Sequence, residues 1–216
     1  MGAAKLRDMS FVLPLAALYA VGAWGLVPEL VSELHRPAHT FTVVLIVSQC
    51  ATLGFMALQI VLFITRRLPE RKTSGVLPRI AAVVGSNSGF AFLFLQRVQQ
   101  SPWMLTVSTS IITVGLAGSI FALASLGKSF SILPQARGLV TEGPYRFVRH
   151  PLYLAEQVTT FGIMCSFAQP GAFLVALGSL GVQIYRMHCE ERVLADTYKE
   201  YDAYIARTSR LIPGIY

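Results

Sequence analysis

Charged residues are scarce in this sequence. Asp, Glu, Lys and Arg make up 13% of its 216 residues, about half the share found in soluble globular domains. With 54% hydrophobic residues and a mean hydropathy of +0.57, that scarcity excludes an ordinary soluble domain and predicts a polytopic membrane protein. The length suits a single integral-membrane domain over 1–216 and leaves no room for a separate soluble one. Cysteine is sparse too. Cys50, Cys165 and Cys189 show no C-x-x-C spacing, which argues against a disulfide framework and against a metal site; all three are expected as small packing residues. A cleavable signal is also missing: Lys5 and Arg7 precede the apolar run from Phe11 to Val27, but no small-x-small site follows. That run is expected to remain as the first helix. Acid is scarcer than base, with 11 Asp and Glu against 18 Lys and Arg. The basic residues sit in short loops between apolar runs, where they report topology rather than nucleic-acid binding.

What is present is a series of apolar segments, at about 11–28, 41–65, 79–96, 103–126, 152–168 and 171–188. Roughly 20 residues cross a bilayer as a helix, so the first four are predicted spans. The last two, joined by Ala168-Gln169-Pro170-Gly171, form a tight helical hairpin. The fold expected is therefore an all-α transmembrane bundle of five to six spans, with N-terminal spans over 1–126 and a cofactor-binding half over 127–216. The 66–79 loop carries Arg66, Arg67, Arg71, Lys72 and Arg79 against Glu70 alone, and the 127–151 connection is basic as well. Both loops face the cytoplasm if both termini do. The third span contains Gly85-Ser86-Asn87-Ser88-Gly89, small residues suited to helix packing, with Asn87 able to hydrogen-bond across an interface; lining a substrate cavity is the sharper alternative. After Glu191, the apolar positions Leu194, Tyr198, Tyr201 and Ile205 predict a cytoplasmic amphipathic helix, ended by Leu211-Ile212-Pro213.

Two polar clusters stand out against this background. Arg149 and His150 precede Pro151, which suits the first turn of the fifth helix, beside a helix N-terminus that favours anions. Tyr153 and Glu156 follow on one helical face. At the far end of the hairpin come Arg186, Glu190 and Glu191. Cations on one wall and a carboxylate on the other suit a zwitterionic ligand, with only one of the adjacent glutamates facing Arg149 and His150. A plainer reading makes Arg186 and Glu190 a surface i,i+4 ion pair and gives Arg149 and His150 to lipid phosphates.

The ordered set Leu139-Val140-Thr141-Glu142-Gly143-Pro144-Tyr145, then Arg149-His150-Pro151-Leu152-Tyr153, then Glu190-Glu191 with Leu194, Tyr201 and Tyr204, resembles the isoprenylcysteine carboxyl methyltransferase family and its bacterial relatives over roughly 126–214. The resemblance implies a helical membrane enzyme that takes a methyl group from S-adenosylmethionine. It assigns the cofactor pocket to His150, Tyr153, Pro151, Tyr145, Leu139, Glu190 and Glu191, and makes Arg149 and Arg186 candidates for positioning the acceptor. Glu156 departs from the small or apolar residue expected at its position. A carboxylate acceptor needs no general base, whereas a thiol or amine needs one, for which Glu156 or His150 is the candidate. The expected acceptor is lipophilic or small, the expected surroundings are membrane lipids in a bacterial inner membrane, and no metal is called for. Two other readings stay open: a nicotinamide-dependent membrane reductase of the sterol-reductase type, and a non-catalytic protein whose polar residues contact lipid headgroups.

Overall fold

The computed structural model describes residues 3–73 and 75–216. Arg7, part of the basic N-terminal flank, lies outside the described side chains. Helix makes up 73% of the chain, in keeping with the all-α expectation. The long helices are α1 (Ala3–Leu34), α2 (Thr40–Thr65), α4 (Pro102–Leu126), α5 (Pro151–Phe167) and α6 (Pro170–Ala195); α3 (Leu77–Ser86) and α7 (Tyr201–Arg207) are short. By length and composition, Val12–Leu34, Thr40–Thr65 and Pro102–Ser129 can each cross a membrane. A fourth crossing is possible if α3 counts together with the 3-10 segment Ser88–Phe94.

That third apolar segment is not one straight helix. It bends by 60° at Asn87. The Asn87 amide donates to the Val83 carbonyl of its own helix at 2.8 Å, not across an interface as expected. The neighbouring Ser88 hydroxyl meets Ser179 of α6 at 2.9 Å. Packing is dense at one end of the small-residue run and absent at the other. A Cβ on Gly85 would lie 2.7 Å from Cδ of Arg186, while one on Gly89 would meet nothing within 4 Å.

In lipid the hydrophobic effect no longer drives helices together, so close packing and hydrogen bonds must. The α4–α5 pair shows this. A Cβ on Gly162 would sit 2.8 Å from the Ile112 backbone nitrogen, and one on Gly115 would overlap Thr159. Near the C-terminal end of α2, Phe63 stacks between Tyr19 and Phe130, with ring centroids 6.0 and 5.7 Å away. Two short strands, β1 (Arg71–Lys72) and β2 (Gln135–Ala136), pair antiparallel and tie the two basic loops together. Beneath them Asp8 bridges Arg66 at 2.8 Å and Arg137 at 2.7 Å, all three buried. Burial raises the Asp8 pKa, but the two guanidiniums outweigh it and hold the carboxyl below its usual range.

The stretch after Glu191 also differs from expectation. α6 continues to Ala195, a turn follows, and α7 starts at Tyr201. There is thus no single amphipathic helix: Tyr201 and Tyr204 are buried, while Ile205 is 37% exposed. The turn is held by the Thr197 and Tyr198 amides, both hydrogen-bonded to the Leu194 carbonyl. Of the cysteines, Cys189 is buried and Cys165 half-buried, but Cys50 is exposed on α2 rather than a buried packing residue.

Candidate active site

Local sequence places the site. Pro151 opens α5, with His150 as its N-cap residue. Upstream, Gly143 adopts a positive φ of 60° and starts the 3-10 turn Gly143–Arg146 that buries Tyr145. The Tyr204 hydroxyl then donates to the Tyr145 carbonyl at 2.6 Å. Residues 148–150 are paired with the C-terminal segment: the Arg149 amide donates to Ser209 at 2.9 Å, and the His150 amide to Arg210 at 3.1 Å. This pairing carries Arg210 to the end of α6.

The outcome is a brace around Glu191. Its carboxylate accepts from Arg149 Nε at 2.9 Å, from His150 Nε2 at 3.1 Å, and from Arg210 Nη2 at 2.6 Å. Glu191 lies past the apolar stretch of α6. Burial raises its pKa, yet the bonds from His150, Arg210 and Arg149 prevail and hold it well below the carboxylate range. Arg149 also donates to the carbonyls of Ile205 and Thr208. Glu191 is therefore the glutamate that faces Arg149 and His150. Glu190 turns the other way and accepts from the Tyr153 hydroxyl.

Above this brace is a cavity of about 100 Å³ whose lining includes Leu139, Tyr145, Arg149, His150, Tyr153 and Glu190. Phe130, Leu152, Leu194, Tyr201 and Tyr204 complete much of its wall. The His150 ring lies parallel to Tyr153, with centroids 5.4 Å apart and planes 7° from parallel. Four of the candidate residues do not line the cavity. Pro151 is buried in the first turn of α5, and Glu191 sits in the brace. Arg186, 3% exposed, lies over the Tyr153 ring at 4.7 Å and donates to the Ile132 carbonyl at 3.4 Å, with Nε and Nη1 unpartnered. It is buried, not part of a surface ion pair. Glu156 accepts from Gln183 at 2.7 Å, and Gln183 in turn accepts from Gln157 at 2.7 Å.

Sequence reasoning missed Arg210, Gln157, Gln183 and the Asp8–Arg66–Arg137 cluster. The two glutamines carried a readable signal, as uncharged polar residues inside apolar helices. Arg210 carried none, since only the pairing of 148–150 with 209–210 brings it to Glu191.

Residues 103–201 match the model of the phospholipid methyltransferase family. The chain is also 29% identical over 114 residues to the nickel-cobalt-cadmium resistance protein NccN of Alcaligenes xylosoxydans xylosoxydans, covering 50% of this chain and 53% of that protein. With the cobalt-zinc-cadmium resistance protein CzcN of Cupriavidus metallidurans it is 30% identical over 116 residues, covering 50% and 52%. The match spans about half the length of these curated relatives. Among the described residues no three His, Cys, Asp or Glu side chains gather as metal ligands. The resemblance drawn from the Arg-His-Pro and Glu-Glu motifs holds at the level of the matched family. Residues 103–201, which supply every cavity-lining residue but Tyr204, are thus the part of the chain that is similar to the phospholipid methyltransferase family.

Proposed function

We propose that this protein is an integral-membrane methyltransferase that uses S-adenosylmethionine to methylate a lipophilic or small acceptor at the inner face of a bacterial inner membrane, with both termini cytoplasmic. The observation that carries the reading is one cavity, within the part similar to a methyltransferase family, that sets the Glu190 carboxylate among tyrosine rings.

The donor set suits the cofactor. Carboxylates and the faces of Tyr145 and Tyr153 favour a cation, and His150 and Arg149 offer donors to a carboxylate end. The bound cofactor supplies an electrophilic methyl group on a sulfonium. The chain's own residues supply alignment and exclusion of water. Glu191 fixes Arg149 and His150 from below; the Tyr153 ring holds the imidazole plane; Phe130, Leu152 and Leu194 keep the cavity wall apolar. Arg186, with two free donors beside Tyr153, is positioned for an acceptor that carries negative charge. A protic acceptor would need a base. His150 Nε2 already meets Glu191, which leaves Glu156 as the better candidate.

Calorimetry on the purified full chain tests the reading. S-adenosylmethionine and its demethylated product should bind in the micromolar range. His150→Ala and Glu190→Ala should each weaken that binding roughly ten- to a hundredfold, the value of a charge-assisted hydrogen bond of about 1.5–3 kcal/mol. No heat from either ligand, with clear binding of a nicotinamide cofactor, would move the assignment to the reductase. Label from methyl-labelled cofactor, followed through lipid extracts, would then find the acceptor.

A further inference from the structure

A second hollow, of about 440 Å³, opens beside the cavity and shares with it the wall formed by Leu126, Ser129, Leu139 and Val140. Its charged lining is Arg67 and Lys128 against Glu142. We propose that this hollow seats the phosphate head of an anionic membrane lipid.

Its height in the bundle supports this occupant. Arg67 lies two residues beyond the end of α2, and Lys128 falls in the last turn of the span Pro102–Ser129. Both are therefore at the level of the inner headgroups, where each basic residue attracts anionic lipid. The charges there are also free. Nearby Arg66 and Arg137 are engaged by Asp8. Among the described residues no ion pair or hydrogen bond engages the Arg67 guanidinium or the Lys128 ammonium. Their backbones do the structural work: the Arg67 amide donates to the Lys128 carbonyl at 2.8 Å, and the Arg67 carbonyl accepts from Arg137.

A glycine of the neighbouring cavity abuts two residues of the hollow. Gly138 has a φ of +124°, and a Cβ there would come 2.8 Å from Ser129 Oγ and 3.3 Å from Arg67 Nη1. A larger residue would press on the serine hydroxyl and the guanidinium that line the hollow. Thr141 adds a second hydroxyl to the rim. A soluble anion needs no apolar wall, whereas the Leu126, Leu139 and Val140 side suits the glycerol and first methylenes of a lipid. The proposal does not depend on what the neighbouring cavity transfers.

Native mass spectrometry of the full chain, titrated with phosphatidylglycerol or phosphatidylcholine in detergent, tests it. The wild type should hold one phosphatidylglycerol in clear preference to phosphatidylcholine. Arg67→Gln with Lys128→Gln should weaken phosphatidylglycerol about thirtyfold, from about fivefold per charge at the membrane surface. Arg67→Lys with Lys128→Arg keeps both charges and should stay within about threefold of wild type, which guards against a misfolded double variant. Lys72→Gln with Arg79→Gln removes the same charge outside the hollow and should change the affinity less than about twofold. An equal loss in that control pair would overturn the site in favour of diffuse attraction. Inorganic phosphate binding as tightly as the lipid would overturn the lipid as its occupant.

Discussion

Replacing Glu191 by Gln removes one negative charge where three donors converge. The side chains of Glu191, Arg149 and Arg210 are 10%, 10% and 19% exposed, so water compensates little. Breaking one partner of a largely buried pair costs about 3–5 kcal/mol. Glutamine keeps one acceptor oxygen, which places this variant at the low end, about 3 kcal/mol. For a chain of this size each kcal/mol moves Tm by roughly 2–4 °C, so a drop of about 6–12 °C is expected. Glu190→Gln makes the informative contrast. Its carboxylate accepts a hydrogen bond from the Tyr153 hydroxyl, and an amide oxygen can replace that acceptor. Glu190→Gln should therefore leave Tm within about 2 °C while cofactor affinity falls about tenfold, the cost of one charge-assisted contact. Thermal unfolding in detergent and calorimetry on both variants measure the two quantities. If Glu191→Gln melts like wild type, or Glu190→Gln loses stability and binds normally, the division between brace and site is wrong.

The brace also sets a pH dependence. Because the folded pKa of Glu191 is depressed from its ordinary 4.5, its stabilisation should be complete above that value and fade as pH falls below it; Tm measured from about pH 6 down to about pH 2 should show this, and Glu191→Gln should flatten the acid limb. Gly115→Ala should destabilise by about 1–3 kcal/mol through overpacking against Thr159, seen as a lower Tm. Gly89→Leu should leave both Tm and cofactor affinity close to wild type, since nothing lies within 4 Å of that position; a collapse of either would show that the bent segment packs more tightly there than its geometry indicates.

The long helices were legible because each carries an uninterrupted apolar run, so α2 and α4 could be bounded to within about two residues. The break at Asn87 was not. Gly, Ser and Asn there announce close packing, but a kink depends on which carbonyls find partners, and the Asn87 amide finds one within its own helix. The turn after Ala195 was hidden because the apolar period runs on through Tyr198 and Tyr201 while the backbone does not. In the site, the cavity-lining residues Tyr145, Arg149, His150, Tyr153 and Glu190 could be named from motifs, since each lies in a short local pattern. Their division of labour could not. Which glutamate joins the brace depends on the rotation of α6 relative to α5, and Arg210 enters through a contact between segments about sixty positions apart.

The length of α5 has a mechanical consequence for the bilayer. Its 17 residues rise about 26 Å at about 1.5 Å each, short of a hydrocarbon core of about 30 Å. Were α5 to cross the bilayer, acyl chains next to the hairpin would have to compress or tilt to meet it, at a fraction of a kcal/mol per Å. The leaflet would then be locally thinned on the flank where α5 carries Tyr153 and Glu156. An amphiphile arriving from the side would meet the polar end of the helix sooner than in an undisturbed bilayer. Shorter-chain lipids would relax that elastic load, and turnover would become a function of membrane thickness.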